Sequence, residues 1–442
     1  MRCLRAHFFT RRFFLALAAL SVSFVAAFFV PALFAPTKFA FMSLVIAAAA
    51  EFVLLHRSEG ITAARRTAER LSNGDENTVE IDVTNDYPFT VSLQIIDELP
   101  IPFQKRDLVI RARMTAGASN RFSYKVRPVE RGEYRFGALN VYAASPLGII
   151  ERRFRFAVDA TVRVYPSIIQ MKRYDLFAVS HRLVDAGLKR LRRVGVSFEF
   201  DQLRRYVHGD DYRAINWKAT ARKAELMVNQ FRDERSQSLY AVIDMGRGMK
   251  MPFAGMTLLD YAINTALVIA NVAIRREDRA GVITFDERVE SVLPAARDHR
   301  QIFRILELLY NCRTGFLEPN YDHLHAEVAR KINQRSLILL FTNFESLSSL
   351  RRALPSLVAM SRRHCLVAIL FLNKELERFI EEPAESVVEV YEKTVAEQFS
   401  FEKRQIAKEI ERHGIRVLLT LPEHLTIDTI NTYLEIKSRG LV

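Results

Sequence analysis

Cysteine and tryptophan are scarce in this chain of 442 residues, which contains three cysteines and one tryptophan. Cys3, Cys312 and Cys365 lie far apart and form no CxxC pair, so the sequence indicates neither a disulfide framework nor a zinc site. Signatures of common hydrolases and nucleotide-binding proteins are also missing, because HExxH, GxSxG, GxGxxG and GxxxxGK(S/T) do not occur. We therefore predict a protein with no catalytic residues and no cofactor, working in a reducing compartment.

Charge is missing from two long apolar runs near the N-terminus, with one exception. Residues 13–35 contain no charged side chain, and residues 39–55 contain only Glu51. A helix of roughly this length crosses the ~30 Å hydrocarbon layer of a membrane. Pro31 and Pro36 lie between the runs and favour the end of one helix and a turn of the chain.

We predict that these runs form a transmembrane helical hairpin over residues 1–58. A cleaved signal peptide is the alternative, although its cleavage pattern is poor and a second apolar segment would remain. Cations flank the hairpin at both ends, whereas the connecting loop offers only Lys38. The flanking cations are Arg2, Arg5, Arg11 and Arg12 before it and Arg57, Arg65 and Arg66 after it. The positive-inside rule then predicts a multi-pass membrane protein with its soluble domains in the cytoplasm.

Short alternating segments separated by turn residues extend from residue 62 to residue 165. In two of these segments the apolar side chains occupy every second position. They are Val79, Ile81 and Val83 in one and Val91, Leu93 and Ile95 in the other. Such alternation is typical of strands with one buried face. We predict a β-sandwich of about seven strands, of the immunoglobulin-like kind.

The rest of the chain comprises an arginine-rich linking region, residues 166–236, and a more apolar region, residues 237–442. In the latter, runs rich in Val, Ile and Leu alternate with helical patterns, which predicts an α/β domain with a doubly wound, mostly parallel sheet. Residues 171–235 contain 15 Lys and Arg against nine Asp and Glu, and so contribute +6 to the formal net charge of +13. A basic balance fits nucleic acid, anionic lipid or an acidic partner.

The first apolar run of the α/β region ends in DMGRGMK, at the edge where such sheets bind ligands. The order of elements around it resembles a von Willebrand factor type A domain, whose metal site uses Asp-x-Ser-x-Ser, a threonine and a later aspartate. This chain keeps Asp244, but Gly246 and Gly248 replace the serines and Asn343 replaces the aspartate. Because two hydroxyls and one charge are lost, we expect no metal at this degenerate site.

A longer ordered pattern, EFDQLRRYVHGDDYRAINWKATAR, lies in the linking region. It resembles the bacterial family called domain of unknown function 58, whose pattern is EF, LRxY and GDxxRxIxWxxxAR. The matching residues are Glu199, Phe200, Leu203, Arg204, Tyr206, Gly209, Asp210, Arg213, Ile215, Trp217, Ala221 and Arg222. The resemblance implies a protein of the bacterial inner membrane that acts with a MoxR-type AAA+ ATPase in the assembly or activation of other proteins.

The same stretch also has a physical interpretation. Asp210 is placed to cap a helix beginning near Tyr212, because a carboxylate accepts hydrogen bonds from the first free amides of a helix. Helical spacing puts Trp217 on a stripe with two alanines, and we expect that stripe to be packed, with Arg213 and Arg222 as charged fasteners. This structural clamp is one hypothesis. The alternatives are a partner-binding surface, a nucleic-acid site, for which the stretch supplies only two aromatic side chains, and a catalytic acid–base pair.

These patterns together predict a non-enzymatic, membrane-anchored adaptor that docks a MoxR-type AAA+ ATPase through the type A-like domain. Two alternatives stay open: a metal-dependent ligand-binding domain and a membrane-associated nucleic-acid-binding protein. We do not expect nucleic acid, because an exposed basic surface is more often ion-paired and solvated.

Overall fold

The structure, a computed structural model, divides into two compact units, Met1–Tyr165 and Pro166–Val442. The residues that it describes are 6–56, 60–103, 108–156, 160–179, 199–207, 212, 215–223, 225–232, 236–384 and 386–441. The apolar hairpin falls in the same unit as the β-rich region that follows it. The linking region falls in the same unit as the α/β region.

Two apolar helices stand near the start of the first unit, α1 (Arg11–Phe29) and α2 (Phe34–His56). A single turn of 3₁₀ helix, Pro31–Leu33, separates them, because a proline cannot continue α1. Pro36 was expected in the turn but lies in the first turn of α2. The N–H groups of the first turn of a helix have no acceptor within the helix, so the missing N–H of Pro36 costs no hydrogen bond. Helix α2 therefore begins at Phe34, before this proline.

Among the described helices, three are long and apolar enough to cross a membrane: α1, the stretch Pro31–His56, and α5 (Leu258–Arg275) of the second unit. In the first two, 6% and 17% of the apolar window is buried within the protein, whereas in α5 the share is 89%. The second unit therefore covers the apolar surface of α5, while the hairpin leaves its own exposed. That exposure indicates that the hairpin associates with a membrane.

Within the described residues of the first unit, the strands form three sheets and outnumber the seven expected. They are β1 (His7–Phe9), β2 (Ile61–Arg66), β3 (Arg70–Ser72), β4 (Asn77–Asn85), β5 (Val91–Asp97), β6 (Val109–Met114), β7 (Ser119–Val126), β8 (Gly132–Arg135), β9 (Leu139–Ala144), β10 (Ile150–Phe156) and β11 (Thr161–Tyr165). The sheet orders are β1-β10-β9-β5-β6, β2-β4-β7 and β3-β11-β8. The expected number was too low because short strands such as β3 carry no alternation, and because β1 precedes the hairpin.

The alternation predicted for β4 and β5 is confirmed. Every second residue of each strand is buried in one common core, and each of the six side chains is at most 3% exposed. These are Val79, Ile81 and Val83 on β4 and Val91, Leu93 and Ile95 on β5. Burial of a valine, leucine or isoleucine side chain stabilises a fold by about 1.5–3 kcal/mol, so this face provides much of the driving force for folding the unit.

The same core holds an ion pair that the sequence does not reveal. Arg65 Nε donates to Asp97 Oδ2 at 3.0 Å, and the two side chains are 1% and 0% exposed. The guanidinium also donates to the Gly137 carbonyl at 2.9 Å and lies 4.6 Å from the centre of the Phe136 ring. Tyr124 donates its hydroxyl hydrogen to the same carboxylate. These partners compensate much of the cost of burying both charges.

Glu51, the one charged residue in the second apolar run, attaches α2 to the β-rich region. Its carboxylate is fully buried and accepts hydrogen bonds from the backbone N–H groups of Gly148 at 3.0 Å and of Ile149 and Ile150 at 2.9 Å each. Ser145 donates a further hydrogen bond from its hydroxyl. Gly148 has φ +69°, a conformation that favours glycine and that curls these amides around the carboxylate.

The end of α2 is held in a second way. The Leu55 carbonyl, which a helix terminus leaves without a partner, accepts from the Tyr87 hydroxyl at 2.7 Å and from the Arg152 guanidinium. On the other side of the hairpin, β1 pairs antiparallel with β10, and the Thr10 amide donates to the Ile149 carbonyl at 3.0 Å. Both ends of the hairpin are therefore joined to the same five-stranded sheet.

The second unit is built on a six-stranded sheet of order β18-β17-β14-β19-β20-β21. The strands are β14 (Ser238–Asp244), β17 (Arg279–Phe285), β18 (Val289–Ala296), β19 (Leu337–Phe341), β20 (Cys365–Phe371) and β21 (Arg416–Thr420). All neighbours are parallel except β17 and β18. The expectation of a mostly parallel sheet is confirmed. A short hairpin, β15 (Pro252–Phe253) and β16 (Met256–Thr257), precedes α5.

Helices cover both faces of this sheet, as expected for a doubly wound arrangement. One core cluster joins the sheet to α7 (Tyr321–Lys331), α8 (Leu347–Arg363) and α10 (Val387–Arg412). The other face contacts α5, α6 (Gln301–Asn311) and α11 (Leu425–Ser438). Before β21 the chain forms two successive helices, α9 (Lys374–Glu381) and α10, with Pro383 between them.

We predict that Glu51→Gln weakens the first unit. The amide would turn its NH₂ group toward backbone N–H donors, and each buried donor left without an acceptor costs about 1–3 kcal/mol. We expect the free energy of unfolding to fall by ~3 kcal/mol, measured on the full chain in detergent micelles by urea titration followed by circular dichroism. Glu130→Gln, at an exposed position of the same unit, is the matched control. Equal stability of the two variants would contradict the anchoring role.

Candidate functional site

The candidate site lies where the strand order of the large sheet reverses. The chain proceeds from β14 to β17 on one side and later returns to β19 on the other side of β14. In open α/β sheets such a switch point leaves a crevice beyond the carboxyl ends of the two strands, and ligands bind there. Asp244 ends β14, and Thr342 and Asn343 follow β19, so the topology brings these side chains to one crevice.

Asp244 forms the floor of the crevice and has both carboxylate oxygens occupied. Oδ1 accepts the Gly246 amide at 2.7 Å. Oδ2 accepts the hydroxyls of Thr342 at 2.7 Å and of Tyr321 at 3.3 Å, and these two hydroxyls are themselves 2.7 Å apart. The side chain is therefore a buried structural acceptor.

Burial is the main reason that the pKa of Asp244 is raised to about 6. The hydrogen bonds from Thr342, Gly246 and Tyr321 act in the opposite direction because they favour the charged form, while the nearby Asp286 carboxylate raises the pKa further. Burial together with the Asp244 charge also raises the pKa of the Tyr321 hydroxyl. Tyr321 therefore stays protonated at neutral pH and serves as a donor.

The two glycines of the loop are set by close packing. A Cβ atom on Gly246 would lie 2.7 Å from Pro319 Cδ, and one on Gly248 would lie 2.7 Å from the Asn343 backbone oxygen. Serines at these two positions would therefore require the surrounding chain to move. Asn343 uses its amide to donate to the Gly248 carbonyl at 3.1 Å, which joins the loop after β14 to the loop after β19.

Lys403 of α10 is a site residue that the sequence reasoning missed. Its ammonium group is buried and donates to Asn343 Oδ1 and to the Phe344 carbonyl. Burial lowers its pKa to about 8, although Glu345 and Glu402 act to raise it. The available signal was a lysine at a position of α10 shared with buried Ile406 and Ile410, where an apolar residue is the rule.

A polar cleft of about 440 Å³ opens above this floor. Its rim carries two exposed ion pairs, Arg247 with Glu345 at 3.1 Å and Arg352 with Glu318 at 3.0 Å. Pairs of this kind contribute little to stability in water, which leaves their charges available to a partner. The floor is occupied by internal hydrogen bonds, and the rim is charged and accessible.

Few side chains at this site can serve as ligands of a metal ion. Within the described residues, no group of three or more His, Cys, Asp and Glu side chains is close enough to hold an ion. Asp244 is the central carboxylate, and its two oxygens already accept the three hydrogen bonds given above. The sequence-based expectation that no divalent ion binds stays a prediction, with a chemical reason in this donor set.

The motif of the linking region lies on a two-stranded sheet, β12 (Glu199–Arg205) with β13 (Met227–Arg232), next to a short helix, α4 (Trp217–Lys223). Glu199, Phe200 and Arg204 belong to β12. The amide of Tyr206 extends the pairing by donating to the Leu226 carbonyl at 2.8 Å. Three predicted site residues, Gly209, Asp210 and Arg213, lie outside the described residues.

Two expectations about this motif are wrong. The helix begins at Trp217 instead of near Tyr212, and Asn216 accepts the Ala219 amide at 3.0 Å at its N-terminus. Trp217 is 69% exposed and does not pack. The helix instead approaches β13 through polar residues, because Thr220 Oγ1 accepts the Met227 amide at 3.0 Å. Arg222 is exposed on the same helix.

Comparison with known proteins agrees with the motif. Residues 202–416 match a family model described as "Protein of unknown function DUF58". The matched residues include β13, α4, the crevice and the whole of α10. A curated protein, "Uncharacterized protein YeaD" of Bacillus subtilis (strain 168), is 28% identical over 214 residues, covering 46% of this chain and 52% of that protein. The chain therefore spans about half the length of this relative.

Solved structures give weaker matches. The conserved hypothetical protein BatB of Bacteroides thetaiotaomicron aligns over 46% of this chain and 99% of its own, with 9% identity and a TM-score of 0.30. The ASH/PapD-like domain of human CEP192 aligns over 25% of this chain and 89% of its own, with 10% identity and a TM-score of 0.18. Scores this low carry no argument about fold or function.

The pKa of Asp244 predicts a pH effect on the second unit. Between the ordinary value of 3.8 and about 6, the folded protein holds this proton more tightly than the unfolded chain does. Stability from this group is therefore full below pH 3.8 and is lost as pH rises through about 6, a change of ~3 kcal/mol. Asp244→Asn can keep the Gly246 hydrogen bond and donate to the hydroxyls, and it removes the titration.

We expect the unfolding free energies of the wild type and Asp244→Asn, measured by urea titration in micelles, to diverge between pH 4 and 7 in favour of the variant. Asp298→Asn, at an exposed position, should instead follow the wild type across this range. Parallel curves for wild type and Asp244→Asn would contradict a raised pKa.

Proposed function

We propose that this protein is a membrane-anchored, non-enzymatic adaptor that docks a partner at the cleft of its second unit. The proposal rests on the contrast between the floor and the rim of the cleft. The polar groups of the floor are used in internal hydrogen bonds, whereas the charged side chains of the rim are exposed. Asp244, Tyr321, Thr342 and Lys403 direct their polar groups to one another or to neighbouring loops. A catalytic carboxylate or amine needs access to substrate, whereas a docking surface needs exposed charge and shape.

The anchoring half of the proposal rests on the hairpin. Its apolar surface is exposed, and Glu51 and the two ends of the hairpin bind it to the sheets that follow. A hairpin attached in this way holds its unit close to the membrane. With the flanking cations, we place the protein in a bacterial inner membrane as a multi-pass protein with both units in the cytoplasm.

For the partner we propose a MoxR-type AAA+ ATPase acting in the assembly or activation of other proteins. This choice is supported by the resemblance of the motif around Arg204, Tyr206 and Trp217 to the DUF58 family and by the match over residues 202–416. The strand order with its crevice supports the proposal that the second unit is a von Willebrand factor type A-like docking domain. In the described part of the linking region, the ion pair of Arg205 with Glu225 at 2.7 Å favours a solvated surface over a nucleic-acid site.

The proposal predicts that the full chain, reconstituted in nanodiscs, captures the MoxR-type ATPase of its own organism in at least one nucleotide state. Arg352→Glu, on the rim of the cleft, should weaken capture by about tenfold, because a reversed charge repels a complementary surface. Arg351→Glu is the matched control, since Arg351 is the preceding exposed residue of α8 and does not line the cleft.

The measurement is the affinity of the purified ATPase for immobilised nanodiscs with ATP, with ADP and without nucleotide. If the ATPase is captured in none of these three nucleotide states, it is rejected as the partner. Capture that Arg351→Glu and Arg352→Glu weaken equally removes the cleft as the docking surface.

A further inference from the structure

Helix α10 has a buried face and an exposed face that is also apolar. Its buried face carries Ile406, Ala407 and Ile410, which belong to the core of the second unit. Six large apolar side chains of the same helix are each at least 50% exposed. They are Val387, Val388, Val390, Tyr391, Val395 and Phe401. Burying such side chains in a partner would be favourable, so an exposed apolar stripe of this size indicates an interaction surface.

Three of these residues lie nearly along one line of the helix, and the other three lie on either side of that line. Val387, Tyr391 and Val395 follow one another at intervals of four residues, which is the spacing of neighbours on one helical face. With Ser386 capping the start by accepting the Glu389 amide at 3.2 Å, the helix is continuous over its 26 residues. The apolar stripe therefore occupies slightly more than the first half of one continuous helix.

A groove of about 700 Å³ lies beside the stripe, between α9 and α10. Ile380 and Glu381 line it from α9, and Glu397, Phe401 and Arg404 line it from α10. Lys393 fastens the two helices together, because its ammonium donates to the Glu382 carbonyl and lies 5.6 Å from the centre of the Phe379 ring. These contacts join the two helices that border the groove.

The charge of this surface is opposite to that of the chain. Residues 374–397 contain eight Glu and three Lys or Arg, a net charge of −5 in a chain of net charge +13. Of the described cations, none is ion-paired with Glu381, Glu392 or Glu397. An anionic lipid surface would be repelled by these carboxylates, whereas a basic protein segment would be attracted.

We propose that the groove and stripe of α9 and α10 dock a basic amphipathic helix of a partner protein. The apolar side of that helix would cover Tyr391, Val395 and Phe401, and its Lys or Arg side would face Glu381 and Glu397. Laying the apolar face of a helix into such a groove is a common mode of peptide recognition. The inference deepens the adaptor function and rests on it for the identity of the partner.

The position of the groove links it to the cleft. Directly after Phe401, the Glu402 carboxylate accepts the Leu347 amide at 2.9 Å, and Lys403 donates to Asn343 and Phe344. The same turn of α10 thus offers Phe401 to a partner on its outer side and holds the loop after β19 on its inner side. A helix docked in the groove would contact the element that supports the cleft.

The test uses the full chain in nanodiscs of phosphatidylcholine and two fluorescein-labelled amphipathic peptides of about 18 residues each. One peptide contains leucine and lysine, and the other contains leucine and glutamate in the same pattern. Fluorescence anisotropy, with empty nanodiscs as the blank, measures the affinity of each. We expect the lysine peptide to bind and its affinity to fall with salt, and the glutamate peptide to bind at least about tenfold more weakly.

Two variants and one control locate the binding. Phe401→Ser should weaken binding of the lysine peptide by about tenfold or more, because truncating an aromatic anchor at an interface is costly. Glu397→Lys should weaken it several-fold and reduce the salt dependence. Phe303→Ser on α6 is the matched control, since Phe303 is 62% exposed and Phe401 is 63% exposed. Unchanged circular dichroism spectra and melting temperatures would show that each variant is folded.

Equal binding of the two peptides, or equal losses for Phe401→Ser and Phe303→Ser, would overturn the proposal. Two other results would overturn it as well. In one, the lysine peptide binds empty nanodiscs as well as it binds nanodiscs that contain the protein. In the other, no peptide binds, and the chain forms a dimer that Phe401→Ser abolishes. The adaptor function is judged separately by capture of the ATPase. If the ATPase is captured while the lysine peptide is not bound, the docking role of the groove is rejected and the adaptor function is retained. If the lysine peptide is bound while the ATPase is not captured, the docking role is retained and the ATPase is rejected as the partner.

Discussion

A carboxylate taken out of water must have donors on both of its oxygens, and this constraint organises each unit of the protein. In the first unit, Glu51 is surrounded by three backbone amides and a hydroxyl, which attaches an apolar hairpin to strands that fold in water. In the second unit, Asp244 receives one amide and two hydroxyls, which hold the loop after β14, the start of α7 and the loop after β19 around one point. Apart from the Gly246 amide, the donors come from residues distant in sequence, so each carboxylate has this full set of donors only when its unit is folded.

Helix α10 connects the surfaces that we assign to partners. Its inner side supplies Glu402 and Lys403 to the loop after β19, and its outer side carries the apolar stripe. Helix α10 therefore lines the groove and also supports the loop that borders the cleft, within a single compact unit. A protein built in this way suits recognition, because its internal polar groups are used for support while its apolar and charged surfaces face outward.

The spacing of apolar residues predicted the secondary structure correctly wherever one face of a strand or helix is buried. The alternation along β4 and β5 and the mostly parallel sheet with helices between its strands follow from the spacing of apolar residues. Periodicity failed for α4, a helix of seven residues, because so short a helix can approach its neighbour through polar groups such as Thr220 and leave Trp217 in water. It also missed β1, whose three residues pair with β10 more than 140 positions away.

The sequence by itself determined the apolar hairpin, the alternation of strands and helices in the second unit, and the residue types of the crevice, since each depends on spacing over a few turns of chain. It also placed Glu51 as the one charge in an apolar run. Only the tertiary structure decided that this charge would be buried against the amides of residues 148–150, that Lys403 would reach Asn343, and that the stripe on α10 would stay uncovered. Hydrogen bonds and burial of this kind join residues that are far apart in sequence, and no local pattern records which distant donor a buried charge will meet.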